Sequence, residues 1–186
     1  MNNKELMNHA ADNIRILAVS MVEKAKSGHP GGAMGGADFI NVLFSEFLTY
    51  DPENPTWEGR DRFYLDPGHM SPMLYSALAL QGKFTIEELK QFRQWGSVTP
   101  GHPERDIARG IENTSGPLGQ GHTFAVGAAI AEKFLEARLG STMMQAIKKL
   151  MPRDNTFGQN LGRFRYDDLE HNKVLDRVHK LGDGTQ

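Results

Sequence analysis

Four of the seven histidines in this chain directly follow a glycine, at Gly28-His29, Gly68-His69, Gly101-His102 and Gly121-His122. Three of these pairs also lie within two residues of a proline. Glycine and proline interrupt regular structure, so the chain must fold as short elements joined by tight turns, with an imidazole at each of four turns. Glycine supplies 20 of 186 residues, above its usual share, which fits a chain rich in turns and close backbone approaches. A chain of 186 residues is long enough for one domain with a sizeable core.

Between the turns, apolar spacing predicts the elements. Ile14, Leu17, Ala18, Met21, Val22 and Ala25 recur at three and four positions and predict a helix from about Lys4 to Lys26. The loop Ser27-Gly28-His29-Pro30-Gly31-Gly32 follows. Ala37, Ile40, Leu43, Phe44 and Phe47 restore helical spacing. Asp61 to Asp66, with Phe63 and Leu65 alternating, predicts a strand, and Pro67-Gly68-His69-Met70 a turn. Ser71 then reads as a helix cap with Pro72 at the first helical position, and Gly82 as the stop. Thr85 and Glu88 form a capping-box pattern for a short helix carrying Ile86, Leu89 and Phe92. Phe124 to Leu139 is helical with a small-residue face at Gly127, Ala128, Ala129 and Ala131, suited to close packing, and Gly140 ends it. Helical patterns return at Met143, Ile147 and Leu150 and over Asp167 to Leu181, around the polar stretch Met151 to Tyr166.

Composition excludes several functions. A net charge of -2 gives no broad basic field for nucleic acid or for an anionic membrane. No apolar run is long enough to span a bilayer, and the polar start MNNKELMNHAADN has no signal core, so the expected setting is soluble and cytoplasmic. With no cysteine, disulfides, thiolate metal sites and cysteine nucleophiles are excluded. Chemistry is left to the glycine-flanked histidines. Imidazole moves protons near neutral pH and hydrogen-bonds phosphate oxygens, and an adjacent glycine lets it approach a ligand closely. One Gly-His pair alone is an ordinary turn; several could line one pocket.

Taken in order, SGHPGGAMGGAD at 27–38, DRFYLDPGHMSPMLYS at 61–76, TPGHPE at 99–104 and TSGPLGQGHTFAVGAAIAEK at 114–133 resemble the transketolase family in wording and spacing. The resemblance runs from about Asp12 to Gly140. Four motifs in register are far more specific than any one of them. The wording PGHMSPMLY and TPGHPE is closer to transketolase than to the related deoxyxylulose-phosphate synthase. The resemblance implies an α/β thiamine-diphosphate-binding fold of transketolase type, a parallel sheet flanked by helices, here incomplete. It matches His69 to the histidine that contacts the cofactor diphosphate, and Gly116, Pro117 and Leu118 to the loop beside the aminopyrimidine. It matches His29 and His102 to catalytic histidines that touch the sugar hydroxyls and assist proton transfer. His122 receives no role beyond helix capping. The implied reaction moves a two-carbon ketol unit between sugar phosphates, with thiamine diphosphate and Mg²⁺ as cofactors and a homodimer, or a complementing transketolase chain, as the assembly.

After Gly140 the wording departs from the family, which suggests a binding segment at 1–140 and a divergent tail at 141–186. The metal loop expected of the family is absent in its usual place. Gly182-Asp183-Gly184 stands at the end, after the charged run VLDRVHKL rather than a buried strand, so Asp183 is only a weak metal candidate. The family glutamate that activates the cofactor belongs to a further domain. The isolated chain is therefore expected to lack ketol transfer, and the alternative reading is an inactive fragment that serves only in interaction or cofactor binding.

Overall fold

A computed structural model of the chain describes residues 3–140. Helix α1, Lys4–Ala25, is capped by Asn3, whose side chain accepts from the Glu5 N–H at 2.8 Å. Its apolar stripe of Ala10, Ile14, Leu17, Ala18 and Met21 is buried. The helix closes at Ala25 because Lys26 turns left-handed. Pro30 then opens α2, Pro30–Gly35, since its fixed φ suits a first helical turn. The loop expected over 27–32 therefore shrinks to its first three residues. Helix α3, Ala37–Val42, continues into a π turn at Leu43–Phe47.

All ten residues of α4, Ser71–Leu80, are buried. This helix packs on α1, α2, α3 and the short α5, Ile86–Leu89, and makes the centre of the core. Ser71 does not cap it as expected. The 3₁₀ turn Gly68–Met70 already leads into the helix, so Ser71 lies inside and its hydroxyl donates instead to the Gly101 carbonyl at 2.7 Å. The capping box before α5 forms as expected: Thr85 Oγ1 accepts from the Glu88 N–H, and the Glu88 carboxylate accepts from the Thr85 N–H.

The parallel sheet is where the structure departs most from expectation. Among the described residues there is no strand, only an isolated antiparallel bridge between Asp106 and Ile111. The strand expected at Asp61–Asp66 has no strand beside it to pair with among the described residues. Side chains satisfy its backbone instead: the Leu65 N–H donates to Asn113 Oδ1 at 3.0 Å, and the Leu65 carbonyl accepts from Asn113 Nδ2 and Ser115 Oγ. A strand needs a ladder partner, and side-chain acceptors can fill that role locally.

Helix α6, Gln120–Leu139, starts four residues before Phe124 and ends at Gly140 as expected. Of its twenty residues only Gly121 is buried, so the small face read as a packing face meets no covering element among the described residues. No helix among them is long and apolar enough to cross a membrane. The helices expected at 143–150 and 167–181, and the polar stretch 151–166, lie outside the described residues.

Candidate functional site

Three of the four Gly-His turns meet at the amino end of α4. His69 sits on the 3₁₀ turn that feeds this helix. The His29 ring lies against it, centroids 4.6 Å apart and planes tilted by 41°. Gly68 is buried between two other loops: a Cβ there would stand 2.6 Å from Ser115 Oγ and 3.1 Å from His102 Cδ2. Glycine is therefore required if the loops carrying His102 and Ser115 are to close on the His69 turn. His29 and His102 are exposed and His69 half-buried, so the group opens to solvent on one side.

The loop of His102 is held from below by α4. Ser71 Oγ donates to the Gly101 carbonyl, and Tyr75 Oη to the Pro100 carbonyl at 2.9 Å. Burial, with Glu104 adding to it, pushes the Tyr75 phenol far above its usual range, so it remains a neutral donor. Arg93 ties the same loop to that of His29. Its backbone is left-handed at φ 60°, its N–H donates to the Thr99 carbonyl at 3.0 Å, and its guanidinium donates to Ser27 Oγ at 2.9 Å. The guanidinium also lies so close to Gly101 that a Cβ there would come within 2.6 Å of Nε. Desolvation, followed by the positive fields of Arg93, His69 and His29, holds the His102 imidazole below its usual range. A neutral His102 keeps one nitrogen to accept a proton and one to donate.

The segment Gly116-Pro117-Leu118 stands beside this group. A Cβ on Gly116 would meet nothing within 4 Å, and Leu118 is 75% exposed, so a bare backbone and an apolar side chain face the open edge together. The fourth Gly-His pair is not a turn: Gly121 and His122 lie in the first turn of α6, which begins at Gln120, and His122 pairs with Asp66. Of the residues singled out from the sequence, His29, His69 and His102 thus come together, and 116–118 follows Ser115, which lies against Gly68. The sequence reading did not single out Arg93, Tyr75, Asp66 or Asn113, each of which has a partner 25 to 66 residues away along the chain. Only the Asp66-Pro67 pair before Gly68 offered a local turn signal.

No group of three or more His, Asp or Glu side chains among the described residues is placed to hold a metal ion. Asp183 lies outside the described residues. A cavity of about 40 Å³ lies elsewhere, lined by Phe44, Phe63, Arg60 and Glu112 but by none of these histidines. Its Arg60 and Glu112 satisfy each other through two hydrogen bonds.

Residues 6–151 match the family model described as transketolase, thiamine diphosphate binding domain. Transketolase-1, chloroplastic, of Arabidopsis thaliana is 53% identical over 135 residues, covering 72% of this chain and 18% of that protein. Transketolase 1 of Escherichia coli (strain K12) is 55% identical over 129 residues, 69% of this chain and 20% of that one. Among solved structures, transketolase from Leishmania mexicana matches with a TM-score of 0.69 at 44% identity over 76% of this chain and 21% of its own. A Pichia stipitis transketolase in complex with sedoheptulose-7-phosphate matches with a TM-score of 0.67 at 45% identity, over 71% and 20%. The chain thus spans about a fifth of the length of the proteins it matches.

Proposed function

From the premise that this chain belongs to the transketolase family, we propose that it supplies one side of a thiamine diphosphate site, used for transfer of a two-carbon ketol unit between sugar phosphates. The observation that carries the reading is the convergence of His29, His69 and His102 around Gly68, with the uncovered Gly116–Leu118 segment beside them. The donor set fits the cofactor. His69, at the amino end of α4, donates to a diphosphate oxygen, with the helix dipole adding favourable field. Gly116 admits close approach of a flat ring to the backbone, and Leu118 gives that ring an apolar contact. Neutral His102, with His29 across the His69 turn, hydrogen-bonds sugar hydroxyls and moves protons at the reacting end. When bound, the cofactor supplies the electron sink for carbon–carbon cleavage.

The described residues hold no carboxylate cluster for Mg²⁺, and no step is assigned to a metal. The fold family adds the parallel sheet, flanked by helices, to the elements described. In this reading the assembly is a homodimer or a pairing with a complementing transketolase chain, in the cytoplasm. Calorimetric titration with thiamine diphosphate, with and without Mg²⁺, tests the site without requiring turnover. His69→Ala should weaken binding by on the order of 1 kcal/mol or more, a charged hydrogen bond's worth. A parent chain that binds no cofactor, or a His69→Ala variant that binds it equally well, would remove the proposal. The exposed apolar side chains of α6 favour one second reading, a fragment that acts through association rather than catalysis. It predicts complex formation with a transketolase chain and no ketol transfer by either the fragment or the complex.

A further inference from the structure

We propose that Asp66 is a positioning residue that fixes the Gly116–Leu118 segment relative to His69, and so sets the spacing between the ring and diphosphate ends of the cofactor cradle. This rests on the function proposed above. The segment is tied at both ends to the dipeptide Leu65-Asp66. Before it, Ser115 Oγ donates to the Leu65 carbonyl at 3.2 Å; after it, the Gly119 N–H donates to Asp66 Oδ1 at 3.2 Å. The second Asp66 oxygen meets His122 Nδ1. Asp66 is three residues before His69, so one buried carboxylate joins the two loops.

The local structure leaves this task to Asp66. Gly119 occupies the cap position of α6 in a left-handed conformation, φ 87°, and has no side chain with which to cap the helix. Asp66 instead accepts from the Gly119 N–H itself, from 53 residues away in the chain, the bond that a side chain at the third helical position makes in a capping box. Its side chain is only 6% exposed, whereas that of His122 is 79% exposed. The first turn of α6 also presses on the same backbone: a Cβ on Gly121 would come within 2.5 Å of the Leu65 carbonyl oxygen and 2.6 Å of Asp66 Cβ. Tyr64 stacks on Phe124 at 6.4 Å. These contacts fasten the start of α6 to residues 64–66, with Asp66 as the charged member.

The test compares the full chain with Asp66→Ala, Asp66→Ser and Asp66→Asn. Asparagine retains an acceptor for the Gly119 N–H and a donor for His122; alanine retains neither, and serine is too short to reach both. Hydrogen exchange of the 115–122 segment should quicken in the alanine and serine variants and stay near parent in the asparagine variant. Thiamine diphosphate affinity should fall roughly five-fold or more in Ala and Ser and recover in Asn. Affinity for inorganic diphosphate, which needs His69 but not the 116–118 segment, should hold or rise, because a nearby negative charge is removed. A merely structural role would weaken both ligands alike. Unchanged exchange in Asp66→Ala and Asp66→Ser overturns the tether, and faster exchange with unchanged thiamine diphosphate affinity overturns its link to the cofactor. A parent chain that binds no thiamine diphosphate overturns the function proposed above, while the exchange result still decides the tether.

Discussion

Helices α4 and α6 both carry several large apolar side chains and have opposite surroundings, α4 without a charged residue and α6 with Glu132, Lys133, Glu136 and Arg138. Every residue of α4 is buried, whereas α6 buries only Gly121 and exposes Phe124, Val126, Ile130, Phe134, Leu135 and Leu139. The uncharged helix lies inside the core, and the mixed one meets no covering element among the described residues. Helix α4 has α1, α2, α3 and α5 around it and positions both the His69 turn and the His102 loop. Helix α6 is attached through its first turn, where the Gly116–Leu118 segment ends. The half of the site that rests on α4 is fixed by a core, and the half that leads into α6 is fixed by a few polar contacts.

The largest expected effect separates the two helices by stability. Leu78→Ala should lower unfolding free energy by about 2–5 kcal/mol, the usual result of a cavity in a closed core. Ile130→Ala on α6, 65% exposed, should change it by no more than about 0.5 kcal/mol. Urea denaturation of the two variants checks the contrast, and equal losses would show that α6 is covered after all. A smaller effect concerns the hydrogen bond from α4 to the His102 loop. Tyr75→Phe should cost about 1–3 kcal/mol by leaving the Pro100 carbonyl without its buried donor. It should also broaden the His102 resonance as its loop loosens.

The smallest expected effect is electrostatic. The folded state disfavours charged His102, through desolvation first and then through Arg93, His69 and His29. The folded chain therefore takes up this proton less readily than the unfolded chain. The penalty is absent well above the ordinary histidine value of 6.5 and grows as pH falls from there through the lower folded value, so stability should decline over that window. Arg93→Met should move the His102 titration, followed by NMR, back toward the ordinary value. A titration that does not move would show that Arg93 does not act on the imidazole.

The legible parts of this fold were those decided by near neighbours in the chain. The α1 stripe, the Thr85–Glu88 capping box and the Gly140 stop depend on residues a few positions apart, and each was readable. Three of the four Gly-His pairs were readable as turns, while Gly121-His122 proved helical because α6 starts at Gln120; the convergence of the three was implied only by the family wording, since periodicity carries no information on which loops meet. The strand at Asp61–Asp66 failed because strand character depends on a partner, and side chains of Asn113 and Ser115 stand there instead. Ser71 failed as a cap because the preceding turn moved the helix start, a tertiary effect. Nothing local announced the Arg93–Ser27 or Asp66–Gly119 hydrogen bonds, because the partners lie more than fifty positions apart in the chain.

The most direct test of the central claim follows the histidine ring signals by NMR while thiamine diphosphate is added with Mg²⁺. The account predicts that His69 shifts most, that His29 and His102 shift with it, and that His9, at the opposite end of α1 from the His29 loop, stays in place. Shifts confined to His9 or His122, or no shift at any ligand concentration up to the millimolar range where weak specific sites fill, would contradict the claim that the three converging turns form the cofactor site.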